Sequence, residues 1–139
     1  MKTFKLLSAF VVALTFVGCN DDDNNGSQTD PLAGEWRLTH LMGGIAGNNV
    51  SFEPGTISWD FDPESGTVTV VNTNTNEQLE DLFESGTYEF SFEENTATPA
   101  SCEEVLVIDD VSLGCWNASS STLTLTQIEN DGFVVTLKR

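Results

Sequence analysis

The chain has 139 residues, which is enough for one domain with a real hydrophobic core. It carries 22 acidic side chains against 5 basic ones. This balance argues against nucleic acid as a partner, because phosphate binding needs clustered Lys and Arg. The acidity is explained by solubility and repulsion between molecules, with a specific cationic partner or ion as the alternative. Thr, Val and Phe are frequent while strong helix formers are few, which favours β-structure.

The first residues have the pattern of an export signal. Lys2 and Lys5 form a positively charged start, and the apolar run over residues 6–17 is too short to cross a bilayer as a helix. Gly18 and then Cys19 follow directly. This spacing resembles a bacterial lipoprotein signal, in which cleavage precedes a Cys that becomes lipidated. An ordinary secretory signal with an incidental Cys is the alternative.

We therefore expect a signal peptide over residues 1–18, and a lipidated Cys19 that opens a flexible acidic tether over residues 19–31. The tether offers no apolar side chain to a core, so it should stay solvated. Its triplet Asp21-Asp22-Asp23 resembles the tethers of Bacteroidetes lipoproteins, in which acids near the Cys mark export to the cell surface. The resemblance implies a protein anchored by lipid in the outer membrane and exposed at the cell surface. The alternative is a spacer whose charge keeps it off anionic headgroups.

Residues 32–139 are predicted to fold as one domain of short strands. Apolar and polar side chains alternate over short stretches, as they do in strands with one buried face. Pro63 and Gly66 favour a tight hairpin turn, and Asp131-Gly132 favours another. The predicted strands cover residues 33–42, 56–61, 67–71, 87–92, 104–109, 111–116, 122–128 and 133–139. No segment has the pattern of a crossover helix, so the sheet should be antiparallel, and closure would remove its exposed edges.

Two connections are expected to be longer. Residues 45–54 are rich in Gly and Asn and are predicted to form a loop that Phe52 anchors. Residues 75–78 match a capping box, and Leu79, Leu82 and Phe83 follow at helical spacing. This pattern predicts a short helix of one or two turns, with an irregular lid as the alternative.

Gly34-Glu35-Trp36 resembles the G-x-W opening of the lipocalin family, and it stands at the start of the first predicted strand. The segments LAGEW, PGTISWDF, TVTVVN, SGTYEFSF, STLTLTQ and DGFVVTLKR are also similar to lipocalin-like lipoproteins of Flavobacteria. The resemblance covers residues 32–139 and implies an all-β fold: a small antiparallel up-and-down β-barrel of about 8 strands. It also implies that Trp36 closes one barrel end under a basic residue of the last strand. Arg139 is the first candidate for that residue, and Lys138 is the second.

Cys102 and Cys115 are the cysteines that remain once Cys19 is lipidated. An exported location favours a disulfide between them, with two free thiols or a metal site as the alternatives. A metal site would need further ligands, so we expect neither a metal nor a cofactor. The disulfide would close a loop of about 15 residues and stabilise the fold by ~3 kcal/mol.

The barrel interior is predicted to be rich in aromatic rings. A barrel of about eight strands is either filled by its side chains or holds one small ligand. The many large rings favour a mostly filled interior, with a ligand pocket at the open end as the alternative. The residues expected to line that pocket are Leu38, Trp59, Phe61, Tyr88, Phe90, Phe92 and Phe133.

No catalytic residue is predicted. His40 should lie at the barrel rim on the face that carries Trp36 and Leu38, and no nucleophile motif accompanies it. Asp60, Asp62 and Glu64 have alternate spacing like that of a calcium loop, but the required Gly is one place late and no Glu falls at the twelfth position, so a hairpin turn is the favoured interpretation. Asp109-Asp110 is likewise expected to be a turn.

The leading hypothesis is therefore a membrane-anchored, lipocalin-like binding protein without enzyme activity. Its expected partners are the membrane, through the lipid anchor, and a small apolar or amphipathic ligand, and it should be a monomer. The alternative is a protein-protein interaction or inhibitor module with a filled barrel and no small-molecule ligand.

Overall fold

The computed structural model describes residues 30–97, 100–128 and 131–139. The predicted signal peptide, Cys19 and almost all of the tether lie outside these residues. The described part of the chain forms nine strands: β1 (Gly34–Gly43), β2 (Asn48–Ser51), β3 (Ile57–Asp62), β4 (Thr67–Asn72), β5 (Gly86–Glu94), β6 (Glu104–Ile108), β7 (Val111–Ala118), β8 (Thr122–Thr126) and β9 (Phe133–Lys138).

The strands form one closed antiparallel sheet. From β3 to β9 each strand pairs with the next one in the chain, and β1 pairs with both β3 and β9, which closes the barrel. Eight strands make the barrel, and β2 is an additional short strand beside β1. The prediction of an all-β, antiparallel up-and-down barrel is confirmed. Closure leaves the barrel strands without the free edges that promote aggregation.

Strand β2 lies where the sequence predicts a loop. It pairs with the second half of β1, where Ser51 faces His40, while β3 pairs with the first half of β1. The two strands thus follow one another along the same edge of β1. Four residues, three of them polar, carry too little alternation to reveal a strand. Phe52 is buried and its N–H donates to the Thr39 carbonyl over 3.0 Å, so it anchors the segment as predicted.

The short helix predicted around residues 75–83 is wrong. The β4–β5 connection, residues 73–85, contains turns and no helix. The side-chain oxygens of Asn74 and Asn76 accept the N–H groups of Asn76 and Gln78, over 3.1 Å in both cases. In the expected capping box the Thr75 hydroxyl would accept the Gln78 N–H, but Asn76 accepts it here. Leu82 then takes a φ of +70°, which a right-handed helix excludes. The irregular lid is the alternative that the structure adopts.

A bulge in β1 changes the face on which His40 lies. The pairing of β1 with β9 shifts register between Leu38 and His40. Leu41 therefore takes the next buried position, and His40 is only half-buried. The prediction that His40 shares the inner face of Trp36 and Leu38 is wrong, because one extra residue reverses the alternation. The His40 ring instead contacts the Ser51 hydroxyl, at 3.2 Å from Nδ1.

A second bulge, at Gly114, shifts the pairing of β6 with β7. Gly114 has a φ of +79°, and a Cβ on it would lie 2.0 Å from the Thr126 carbonyl oxygen. Only glycine fits this position. The extra residue lets Leu113 and Trp116, three positions apart, both pack against the barrel core. The bulge thus turns the Trp116 side chain toward the barrel core.

Tight turns join the central hairpins. The Asp62 carboxylate accepts the N–H groups of Glu64 and Ser65, and Gly66 takes a φ of +68°. Asp109 and Asp110 both have positive φ, as a two-residue hairpin turn requires. The two predicted turns are confirmed.

Candidate functional site

The barrel end at which the chain enters is closed by Trp36. Its indole N–H donates to the Leu32 carbonyl over 2.7 Å, and both side chains are fully buried. The Arg139 guanidinium lies 4.0 Å from the centre of the Trp36 ring. The same guanidinium donates to the carbonyls of Pro31, over 3.2 Å, and Ala33. The contact predicted between Arg139 and Trp36 is therefore present, and it also fixes the segment that leads into β1.

The bonds of Trp36 and Arg139 make this end a structural closure. The one polar group of the Trp36 side chain has a backbone partner, and the Arg139 guanidinium binds both the ring and the backbone. A cation over an aromatic face contributes ~0.5 to 2 kcal/mol. Lys138, the second candidate, is exposed at the end of β9 and pairs with Arg37 through the backbone register.

The structure brings most of the predicted pocket residues together. Leu38, Trp59 and Phe61 are buried in the barrel core, and Tyr88, Phe90 and Phe133 are half-buried against it. Phe92 departs from the prediction because 37% of its side chain is exposed. It shares the face of Phe90, but it lies near the end of β5, where less of the barrel surrounds it.

The rings form a continuous chain of contacts through the barrel. Neighbouring ring centres are 5.1 to 6.3 Å apart, the spacing of favourable aromatic pairs. In order, the chain consists of Tyr88, Phe83, Trp59, Phe61, Phe90, Phe92 and Trp116. Three of these contacts are near the perpendicular, edge to face. Aromatic side chains thus line the interior from β3 and β5 to the β4–β5 connection.

One polar atom in this interior has no partner. The indole N–H of Trp59 is buried and makes no hydrogen bond to any described residue. Buried donors are nearly always paired, and an unpaired one costs roughly 1–3 kcal/mol. Its ring neighbours, Phe61 and Phe83, present only carbon and hydrogen.

The end of the barrel opposite Trp36 is covered by the β4–β5 connection. Leu79 and Leu82 pack against the core from this segment, and Phe83 is buried there with its ring 5.4 Å from that of Trp59. Phe83 is a site residue that the sequence pattern does not assign, because the expected helix hides its role. Trp116 is another, because the Gly114 bulge sets its direction.

Surface clefts touch this core only at its edge, where Tyr88 and Phe90 line one of ≈ 320 Å³ and Leu79 lines one of ≈ 490 Å³. Four clefts of about 320 to 610 Å³ are found between described residues. None of these four is lined by Leu38, Trp59, Phe61 or Phe133. The largest lies on the β5–β6 connection, and another of ≈ 490 Å³ lies on the β4–β5 connection.

The Cys102–Cys115 disulfide is present and confirms the predicted pairing. It joins the β5–β6 connection to the middle of β7, with the two Cα atoms 5.8 Å apart. Asn95 also donates to the Cys102 carbonyl over 2.9 Å. The connection is therefore held both covalently and by hydrogen bonds.

Acidic side chains dominate the exterior. Glu94 and Glu104 face one another directly across β5 and β6, where like charges repel. Hydrogen bonds from Ser65 and Glu64 hold the pKa of the Asp62 carboxyl below its ordinary value. Over residues 30–97, 100–128 and 131–139, no group of three or more His, Cys, Asp or Glu is placed to hold a metal ion. Asp62 and Glu64 form the hairpin turn instead.

No protein-family model, curated protein or solved structure matches this chain. Within the described residues, no helix has the length and apolar character needed to cross a membrane. The fold and the geometry of the interior are therefore the basis for any functional conclusion.

Proposed function

We propose that this chain is a membrane-anchored binding protein, resembling lipocalins, that takes a small apolar or amphipathic molecule into the closed barrel and catalyses no reaction. The observation that carries the proposal is the Trp59 indole N–H, a lone buried donor among aromatic rings. Small-molecule sites combine an apolar lining with a few placed polar groups that fix orientation. Trp59 supplies such a group, and the aromatic chain supplies the lining.

The proposed anchor rests on the sequence around Cys19, which lies outside the described residues. The folded domain is compatible with a tether, since the chain enters it at a fixed point. Asp30 accepts the Leu32 N–H over 2.8 Å, and Arg139 holds the neighbouring carbonyls. Replacement of Cys19 by Ser should release the protein from membranes, and unchanged membrane fractionation would exclude lipid anchoring through this residue.

Native mass spectrometry tests the binding function. Protein purified gently from its own membrane should carry a bound species of small-molecule mass, which denaturation should release. The variant Trp59→Phe, which lacks the indole donor, should retain less of it. Protein that carries no small molecule under conditions that preserve its fold would exclude the proposal.

A second candidate, an interaction module, is favoured by a different observation. Phe92 and the half-buried Trp116 have ring centres 5.1 Å apart and are partly open to solvent. Glu94 and Glu104 lie farther along the strands that carry Phe92 and its cross-strand partner Leu106. Apolar rings beside carboxylates suit a partner with apolar and basic side chains. In the same mass spectra, a bound protein that is lost in Phe92→Ser and kept in Val71→Ser would favour this candidate.

A further inference from the structure

The aromatic ring nearest to that of Trp59 comes from outside the barrel wall. Phe83 belongs to the β4–β5 connection, yet it is buried and contacts both Trp59 and Tyr88. Because residues 73–85 form no strand, the barrel's strand pairing does not depend on them. Thr73 and Ser85, at the two ends of the segment, stay bonded to Thr56 and Asn72, so the part that can withdraw lies between them. Phe83 therefore fills space inside the barrel, although it belongs to none of the strands that form the barrel wall.

The connection is held down by a small polar cluster at its surface. The Asp81 carboxylate accepts hydrogen bonds from the side-chain amides of Asn72, over 2.8 Å, and Asn74, over 3.0 Å. The Asn72 amide also donates to the Phe83 carbonyl over 2.9 Å. These groups are only partly buried, so water can replace each bond when the segment lifts.

The residue before Phe83 has an unfavourable backbone. Leu82 has a φ of +70°, a region that bulky side chains rarely adopt. Strain of this kind persists only where surrounding contacts enforce it, and withdrawal of the segment would relieve it. The covered state of this barrel end is thus opposed by its own backbone.

The unpaired donor of Trp59 specifies the chemistry of a ligand. The Trp59 N–H can donate one hydrogen bond and accept none. No charged side chain is buried among the described residues. A ligand carboxylate would therefore lose its hydration without gaining a counter-charge, which is costly. A neutral acceptor such as a ketone, ester or ether suits the site.

From these observations we infer that residues 73–85 form a displaceable plug. Phe83 occupies the position of a ligand ring, and the polar cluster of Asp81, Asn72 and Asn74 holds the plug in place. Withdrawal of the plug admits a neutral apolar molecule whose single acceptor binds the Trp59 indole N–H. This inference rests on the proposed function and adds the entry route and the ligand class.

The test uses acetophenone as the neutral ketone and ethylbenzene as its match without an acceptor. The probes are titrated into the full chain while the indole N–H signals are followed by NMR, with Trp59→Phe identifying the Trp59 signal. Acetophenone should move that signal downfield, while ethylbenzene should not. The Trp36 signal, already hydrogen-bonded to Leu32, should stay in place and serves as an internal control.

Variants of the Asp81 cluster test whether residues 73–85 compete with the ligand for the site. Asp81→Ala should lower the acetophenone Kd by about tenfold, the factor expected for one or two net hydrogen bonds. Glu84→Ala removes an exposed carboxylate of the same segment that is not part of the cluster, and its Kd should match that of the wild type. Phe83→Ala should also tighten binding, and Asp81→Ala carries the test if Phe83→Ala does not fold.

Equal responses of Trp59 to the two probes, or no response in Asp81→Ala, would overturn the inference. Equal Kd values for the wild type and Asp81→Ala would also overturn it, since the plug would then have no role. A natural ligand retained in native mass spectrometry beside an unmoved Trp59 signal would defeat this inference alone. Absence of any retained ligand would defeat the proposed function instead.

Discussion

Two buried tryptophans on neighbouring strands have contrasting surroundings. Trp36 and Trp59 face one another across β1 and β3, and both are fully buried. Trp36 has a carbonyl partner and a cation above its ring. The Trp59 donor has no partner among the described residues, and the Trp59 ring lies 5.4 Å from that of Phe83. Equal burial therefore accompanies different bonding: one indole N–H has a backbone partner, and the other is the donor that we propose binds a ligand.

The β4–β5 and β5–β6 connections are also held to the barrel in different ways. The β5–β6 connection is tied to β7 by the Cys102–Cys115 disulfide. The β4–β5 connection is held by exchangeable hydrogen bonds to Asp81. A covalent tie suits a segment that stays in place, and a polar latch suits one that moves.

The largest effect on the free energy of unfolding is expected at Trp36. Trp36→Ala should lower the free energy of unfolding by ~3 to 5 kcal/mol, because it removes a fully buried aromatic side chain and leaves a cavity. Urea titration measures the change. A loss under ~1 kcal/mol would mean that Trp36 does not close the barrel.

Removal of the Cys102–Cys115 disulfide should have the next largest effect on stability. Replacing Cys102 and Cys115 by Ala together should cost ~3 kcal/mol in the chain-entropy picture, since the unfolded chain loses its cross-link. Denaturant titration of this variant beside the oxidised wild type measures the difference. Similar stabilities for the two proteins would show that the hydrogen bonds around Asn95 suffice to hold the connection.

A matched pair of substitutions compares the two indoles directly. Trp36→Phe and Trp59→Phe remove similar volume, but only Trp36→Phe breaks a hydrogen bond and leaves the Leu32 carbonyl unpaired. Trp36→Phe should therefore be the more destabilising by ~1 to 3 kcal/mol in the same titration. Equal losses would indicate that the Trp59 donor is satisfied in solution.

The smallest effect concerns the cation over Trp36. Arg139→Met keeps much of the aliphatic stem and should cost ~0.5 to 2 kcal/mol, because the cation over the ring is lost. Lys138→Met is the control on the adjacent exposed residue and should change the unfolding free energy little. Similar losses in both variants would assign the effect to general charge and not to the contact with Trp36.

Strict alternation explains why much of the fold is predictable from the sequence. The hairpin of β3 and β4 follows its pattern residue by residue, and its turn has Pro63 and Gly66 in the expected places. Bulges explain the wrong face predicted for His40 and the unassigned direction of Trp116, because one inserted residue reverses the face on which the next residues lie. His40 leaves the inner face in this way, and Trp116 reaches the core. Local periodicity does not reveal such shifts, which depend on pairing between distant strands.

The residues that line the candidate site were predictable from the sequence, but the conformation of the connection that covers it was not. Trp59 and Phe61 are inward residues of a regular strand, so their burial follows from alternation. The helical spacing of Leu79, Leu82 and Phe83 reflects three apolar contacts from an irregular segment. The positive φ of Leu82 interrupts any helix there, and apolar spacing does not reveal it. An unpaired indole N–H is a property of the assembled interior, and no sequence pattern encodes it.

The bonds of Arg139 also have a mechanical consequence. A pull on the chain ahead of Asp30 runs along β1, and Arg139 shares that load because it grips the carbonyls of Pro31 and Ala33. Since β1 and β9 pair side by side, such a force would shear their hydrogen bonds together and not open them one at a time. The barrel should therefore resist tension at this point as a unit.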